Sequence, residues 1–329
     1  MAISAAMRIA QLREIKFNVI ASQLLRDLGL PILGIAIFLL VWQGAAGQVH
    51  TSLGQFPGPT QVLQQAKGLY VEYKEDKASA VAFYERQAKR NADRLAEDPT
   101  FVADAVRPYT GKPTFIKQIG TSLKTVFTGF LLASLIAIPL GIAIGLSGTL
   151  YAAINPLIQL FKPISPLAWL PLVTIVVSAL YTTEDGGVPK SYITSAITVM
   201  MCSLWPTLLN TAVGVTSVSS DLVNVSRVLR LNWVRHVRSI VLPASVPMIF
   251  TGLRLSLGTA WMVLIAAEML AQNPGLGKFV WDEFQNGNTD SLGRIMVAVL
   301  TIGLIGYALD RCMLQLQRWV TWDKQAVQR

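Results

Sequence analysis

The sequence predicts an all-α membrane protein with about six transmembrane helices and a polar helical insertion after the first. Three observations carry that expectation. Of 329 residues, 52% are hydrophobic and 14% charged, against about 25% charged in a typical soluble domain. The apolar residues gather into runs near the ~20 residues a helix needs to cross hydrocarbon. The basic residues, which set a net charge of +9, fall between these runs rather than in one patch. That is how charge is distributed around membrane spans, and it argues against nucleic acid as a partner.

The elements follow in order. A basic N-terminal stretch with Arg8, Arg13, Lys16 and Arg26 precedes the first run, Leu28–Ala46. The lead-in is longer than the charged region of a signal peptide, so the run reads as an uncleaved first span. Residues 48–113 are polar and of mixed charge. Within them Tyr73–Ala96 is rich in Ala, Glu, Lys and Arg, which favours helix, and Asp98-Pro99 ends it. Charge balance near neutrality suggests a solvated helical cap, with docking of a partner as the alternative. Ser122–Leu146 is the second span, and its Gly141-x-x-x-Gly145 spacing allows close helix approach.

The third span, Ile154–Leu180, is interrupted by Pro156, Pro163, Pro166 and Pro171 around Lys162. Each proline removes a backbone donor and kinks or breaks a helix. Two readings stand side by side. A broken helix can line a translocation pathway, or a short interfacial helix can feed an ordinary span while Lys162 snorkels to the headgroups. Ile193–Val215, Pro247–Ala271 and Arg294–Leu316 complete the six.

Six spans place the N-terminus, the 217–246 loop and the tail with Arg318, Lys324 and Arg329 on one side. The positive-inside rule makes that side the cytoplasm. Thr182–Lys190 and Gln272–Ser291, with few basic residues, face outward, as does the insertion. The expected organisation is a cytoplasmic N-terminus and first span over 1–47, an external insertion over 48–113, a core over 114–320 and a cytoplasmic tail over 321–329. Cys202 and Cys312 lie in apolar runs without CxxC spacing and read as buried small residues. His50 and His236 form no metal-ligand pattern.

The stretch "SRVLRLNWVRHVRSIVLPAS" at 226–245 is the densest basic segment. It reads as two short helices, Asp221–Leu231 and Trp233–Leu242, the second stopped at Leu242-Pro243, with Asp221 as N-cap or N-terminal charge. Val225, Val228, Leu229 and Leu231 interleave with Arg227, Arg230, Arg235 and Arg238. Such a helix can lie on anionic lipid or fit a groove on a soluble protein. Its spacing resembles the coupling loop of ABC importer permeases, patterned Glu-Ala-Ala, three residues, Gly, nine residues, Ile-x-Leu-Pro. Ile240, Leu242 and Pro243 match the end. Arg230 stands at the glycine position, and Asn224, Val225 and Ser226 stand at the Glu-Ala-Ala positions. The form "NVSRVLRL" is similar to the nitrate/bicarbonate branch. "PASVPMIFTGLRLSLGTAWMVLIAAEML", "NPGLGKFVWDEFQNG" and "IGLIGYALDR" resemble the nitrate/sulfonate/bicarbonate-type permeases, nitrate permeases foremost. The similarity spans about residues 115–320, with no recognised counterpart for 48–113.

That resemblance implies the type I importer fold in the bacterial inner membrane and a second permease copy as homodimer partner. It also implies two ABC ATPase subunits carrying ATP and Mg, and an external substrate-binding lipoprotein. The implied cargo is a small inorganic anion, nitrate or nitrite first, with bicarbonate, cyanate and alkylsulfonates as rivals. Asn224, Val225, Ser226, Arg227, Arg230, Ile240, Leu242 and Pro243 would be the coupling and ATPase contacts. The chain has no G-x-x-x-x-G-K-[ST] loop to cradle nucleotide phosphates, so it reads as a translocation subunit that binds no cofactor itself and is not an enzyme. A secondary transporter, the reading from another class, needs paired intramembrane carboxylates or inverted repeats; only Glu268 reads as lying well inside a span.

Charges within spans cost about 2.5–3.5 kcal/mol on insertion scales and are functional candidates by default. Lys162, Arg254 and Glu268 are the pathway candidates, with Trp169 and Trp261 as packing or gating aromatics. Arg254 and Glu268 lie about 21 Å apart along one helix, so each needs another partner. Arg254 suits either a planar anion or an ion pair holding the loop to the bundle. Glu268 would repel an anion and reads as a brace for the Gly275–Gly277 turn.

Overall fold

The computed structural model describes residue 26 and residues 29–51, 54–97, 106–182 and 187–320. Arg8, Arg13, Lys16, Lys324, Arg329 and the Asp98-Pro99 break lie outside the described residues, as does part of the 182–190 loop. Among the described residues four helices are long and apolar enough to cross a membrane: Phe115–Leu146, Lys190–Thr216, Trp233–Ala271 and Ser291–Val320. Gly148–Phe161 and Pro166–Leu180 form a bent pair, folded by 100°, that makes a fifth if the two count as one broken span. The first apolar segment, α1 (Leu30–Ala46), has 17 residues and is about 25 Å long at 1.5 Å per residue. The six apolar segments stand where the hydropathy places them, but the first is short and the third is sharply folded.

Three helices make the centre: α3 (Phe115–Leu146), α6 (Lys190–Thr216) and α9 (Leu242–Ala271), with α6 packed along both others. Lipid tails give apolar helices no reason to prefer each other, so small residues and interhelical hydrogen bonds must hold them. On α3 the stripe Gly129, Ala133, Ala137, Gly141 and Gly145 recurs every four residues, which keeps it on one face. Both alanines are buried. A Cβ on Gly129 would stand 2.7 Å from the Ala196 carbonyl oxygen, and one on Gly141 2.7 Å from that of Leu208. The Gly141–Gly145 spacing is thus the end of a longer seam against α6. Across α6 and α9 the hydroxyls close a network: Thr207 Oγ1 donates to Ser256 Oγ at 2.7 Å, and Ser256 donates to the Ser203 carbonyl at 2.5 Å.

Prolines shape the third segment. Helix α4 (Gly148–Phe161) is capped by Ser147, and α5 (Pro166–Leu180) starts at Ser165 with Pro166 in its first turn. A proline costs nothing there because that N–H has no helical partner anyway. Pro163 and Pro166 therefore mark the corner between two helices, whereas Pro156 and Pro171 sit inside them.

The insertion is longer and better anchored than its composition indicates. After a two-residue hairpin (β1 His50–Thr51, β2 Gly54–Gln55), α2 runs over Pro59–Glu97. Its 39 residues make a rod of about 58 Å, where the sequence suggested helix only over Tyr73–Ala96. Val62 and Leu69 are buried in the same cluster as Phe115, Trp261, Leu276 and Phe279. Polar ties reinforce that base: Arg294 forks onto Glu72 at 2.6 and 3.0 Å, Lys117 pairs with Asp76 at 2.5 Å, and Gln65 donates to Asp290 at 2.8 Å. The base of the insertion belongs to the core, so the expected solvated cap describes only its far half.

The chain then turns through α7 (Ser220–Val228) and α8 (Trp233–His236) into α9, and α10 (Leu276–Asn286) leads to α11 (Ser291–Val320). The insertion contacts the starts of α3 and α11, at the end of the bundle opposite α7 and α8. Cys202 is partly buried, but Cys312 is exposed, because it falls on the outward face of α11; the expectation of burial fails there.

Candidate coupling loop and membrane pathway

The arginine loop folds differently from two isolated helices. α7 ends at Val228, with Ser219 at its N-cap and Asp221 in its first turn, so Asp221 acts as helix-end charge rather than cap. The helix starting at Trp233 does not stop at Leu242-Pro243. It continues into α9 through a wide turn over Val237–Val241, where the Leu242 N–H bonds the carbonyl of Val237, five residues back. A π-type turn of this kind absorbs the donor that Pro243 lacks. The arginine segment is therefore covalently continuous, as one helix, with a spanning helix.

Burial divides the loop into an inner and an outer side. Val241 is buried with Ile142 and Val215, and Val237 and Leu242 pack against the same cluster. Ser226 is buried and its Oγ lies 2.8 Å from His236 Nδ1, tying α7 to α8. Outward stand Asn224, Val225, Arg227 and Arg230, beside Val228 at 82% exposure, Leu229, Trp233 and Val234. Ile240 is partly buried and Pro243 exposed. Of the eight residues expected to make the coupling contacts, Ser226 and Leu242 hold the loop together, and the exposed ones form a basic and apolar face.

Arg230 has φ +46°. For a residue with a Cβ this left-handed conformation costs roughly 1–2 kcal/mol, and glycine occupies it freely. That explains why the family pattern has glycine here. The Arg230 N–H still bonds the Arg227 carbonyl at 3.1 Å, and Leu231 N–H the Ser226 carbonyl at 3.1 Å, closing the turn after α7.

Lys162 stands exposed at the 100° corner between α4 and α5. Phe161 and Trp169 bridge that corner with ring centroids 5.9 Å apart. The Trp169 Nε1 is buried with no hydrogen-bond partner among the described residues. The corner thus exposes one cation, Lys162, and encloses one unpaired indole N–H.

Arg254 does not hold the loop. Its Nε donates to Asp310 Oδ1 at 2.5 Å and its Nη2 to Oδ2 at 2.8 Å, joining α9 to α11. Asp310 is a second carboxylate inside a span, contrary to the expectation that only Glu268 lies there, and its partner is an arginine rather than Glu268. Trp261, two turns along α9, is buried and donates to the Ile302 carbonyl at 3.0 Å.

Glu268 is wholly enclosed. Ser122 Oγ lies 2.8 Å from its Oε2, the Gly277 N–H donates to it at 3.0 Å, and the Leu276 N–H donates to Ser122 at 2.8 Å. It links α3, α9 and the start of α10, and presents no open face to a passing ion. Ser122 carried no signal in the sequence beyond an apolar run.

Two kinds of similarity bear on this arrangement. Residues 129–322 match the family described as binding-protein-dependent transport system inner membrane component. The chain belongs to that family. A nitrate import permease, NrtB of Synechocystis, is 34% identical over 295 residues, 90% of each chain. NrtB of Synechococcus elongatus is 36% identical over 239 residues, covering 70% of this chain and 81% of that one. The bicarbonate transport system permease CmpB of Synechococcus elongatus is 33% identical over 292 residues, 88% of each chain. An inward-facing structure of the MetNI methionine ABC transporter superposes with TM-score 0.53 at 14% identity, covering 63% of this chain and 96% of that one. The fold is that of a type I importer transmembrane domain. Coverage of 90% leaves fewer residues unmatched than the 66-residue insertion contains, so much of the insertion is shared with the nitrate permease, where the sequence reading recognised no counterpart.

As a family member the chain is an inner-membrane permease subunit of an ABC importer, a class that works with ATPase and substrate-binding partners.

Proposed function

We propose that this chain is the permease subunit of an ATP-driven importer for a small inorganic anion, nitrate (with nitrite) first. The carrying observation is two-way coverage of 90% with a nitrate import permease, joined to an exposed basic loop that is one helix with a spanning segment. Two permease copies would pair, two ABC ATPases would bind the arginine loops on the cytoplasmic side, and a binding protein would deliver the anion outside. ATP and Mg would be held by the ATPases. Closure of the ATPases would push α7 and α8, and the continuous helix would carry that movement into α9. Lys162, Trp169, Arg254 and Trp261 would contribute to the anion's route, whereas Glu268 would hold the outer end of α9 rigid.

Bicarbonate is the second reading, favoured by the similarity to CmpB. Proteoliposomes containing the permease, ATPases and binding protein separate the two. Labelled nitrate should enter in an ATP-dependent way and resist competition by excess bicarbonate. Uptake of bicarbonate that nitrate fails to compete would transfer the assignment.

Orientation has its own expected result. Protease added outside right-side-out vesicles should cut the far half of the insertion, Lys77–Glu97, and spare the arginine loop. Cleavage in the loop with the insertion intact would invert the topology.

A further inference from the structure

Arg254 lies twelve residues, about 18 Å, into α9 from Leu242, and Asp310 ten residues, about 15 Å, from the end of α11 at Val320. Measured from Pro247 and Leu316, the cytoplasmic ends of the expected spans, the two lie about 10 Å deep, within the hydrocarbon. Its side chains remain 39% and 41% exposed. A guanidinium carries five N–H donors in a fixed fork. Asp310 takes the edge formed by Nε and Nη2. Three donors, including the parallel pair at the Nη1–Nη2 end, have no partner among the described residues. At this depth no water is available from the lipid, and free donors cost several kcal/mol unless a polar ligand or a wet cavity meets them.

A cavity of about 200 Å³ opens at this place, lined by Arg254, Asp310, Leu257, Gly258, Trp261 and Gly306 among others. A single water needs about 10–15 Å³ of such space, so it admits a small ion with part of its hydration but no large solute. Gly306 lets the Trp261 indole come within 3.1 Å of where a Cβ would be, and a Cβ on Gly258 would meet nothing. The room is made by missing side chains, and the rest of the wall is apolar.

We propose that Arg254 is a transit site for a small planar oxyanion, which takes the free Nη1–Nη2 edge, and that Asp310 is the positioning residue that holds the guanidinium by its other edge. This rests on the anion-importer reading above and adds the residue pair through which the anion passes. A planar carboxylate-like oxyanion fits the fork through two parallel hydrogen bonds. Asp310 also tempers the site: a lone buried arginine would hold the anion, and conduction requires binding weak enough for release. Asp310 belongs to a region the sequence shows only as "YALDR".

The test uses the assembled complex in proteoliposomes and reads anions imported per ATP hydrolysed, beside assembly and the stimulation of hydrolysis by binding protein. R254Q/D310N removes both charges together, leaving no orphaned ion. It should assemble and hydrolyse ATP on stimulation, but import at least tenfold fewer nitrate ions per ATP. Asp310→Asn should import more than the double variant, because Arg254 remains. Arg254→Lys keeps the charge and loses the fork, and should assemble normally with a several-fold lower ratio. A structural tie predicts the reverse, with both single variants unstable and the neutral pair transporting at the parental ratio; that result overturns the proposal. If the neutral pair does not assemble, Arg254→Lys decides, and a parental ratio there overturns it equally. Failure of the parental complex to import any small anion with ATP would instead defeat the importer reading.

Discussion

A permease carrying Arg227→Glu and Arg230→Glu is expected to lose its ATPase subunits on purification and to import no anion. Both arginines stand on the exposed face of the loop, beside Val228, Leu229 and Trp233, which have no cover among the described residues. The substitution reverses two charges without touching the inner side, where Val241, Ile142 and Val215 are packed. The permease should therefore fold, while like charges placed against a complementary groove cost several kcal/mol, enough to dissociate a complex at working concentration. Co-purification from membranes and uptake in vesicles measure both. Normal assembly and import would show that the loop is not the ATPase contact. Arg230→Gly isolates the side chain from the backbone. It relieves a left-handed residue at φ +46°, so the isolated permease should melt at a higher temperature, by the equivalent of about 1 kcal/mol. The same variant should bind the ATPases more weakly. If it binds them equally well, the Arg230 side chain lies outside the contact.

The second large effect is expected at Gly277. A Cβ there would stand 2.1 Å from the Ile265 carbonyl oxygen and 3.0 Å from Glu268 Cβ. Backbone on α9 cannot step aside as a flexible side chain can, so Gly277→Ala must push the start of α10 away. Overpacking typically costs about 1–3 kcal/mol. Displacement also breaks the Gly277 N–H bond to Glu268, leaving the carboxylate only the Ser122 hydroxyl among the described residues, and a lost buried hydrogen bond costs about 1–3 kcal/mol more. The thermal midpoint of the detergent-solubilised permease should fall well below the parent's, with ATP-dependent import lost. A parental midpoint would mean that the turn yields easily and that Glu268 braces nothing.

The spans were legible because hydropathy and charge placement act along the chain, one residue after another. The loop was legible in its spacing, and Arg230 at a glycine position was the one residue whose backbone conformation the sequence hinted at. Other features arise between segments. Val62 and Leu69 lie seven residues apart in a polar stretch, and only packing into the cluster that holds Phe115 and Trp261 turns them into core. That is why the first part of α2 was missed. Pro243 obeys a local rule for ending helices, yet the wide turn over Val237–Val241 lets the chain continue. Asp310 is 56 positions from Arg254, and no local pattern joins them. Glu268 was legible as a residue needing partners, but Ser122, on another helix, was not.

The central claim is that ATP hydrolysis, entering through the arginine loop, drives a small anion through this chain. Its most direct test is labelled nitrate uptake by proteoliposomes containing permease, ATPases and binding protein, with ionophores present to collapse ion gradients. The account predicts uptake that needs ATP and binding protein, persists with the ionophores and disappears in the Arg227→Glu, Arg230→Glu variant. Uptake by the permease alone, driven by an imposed ion gradient and indifferent to ATP, would contradict it.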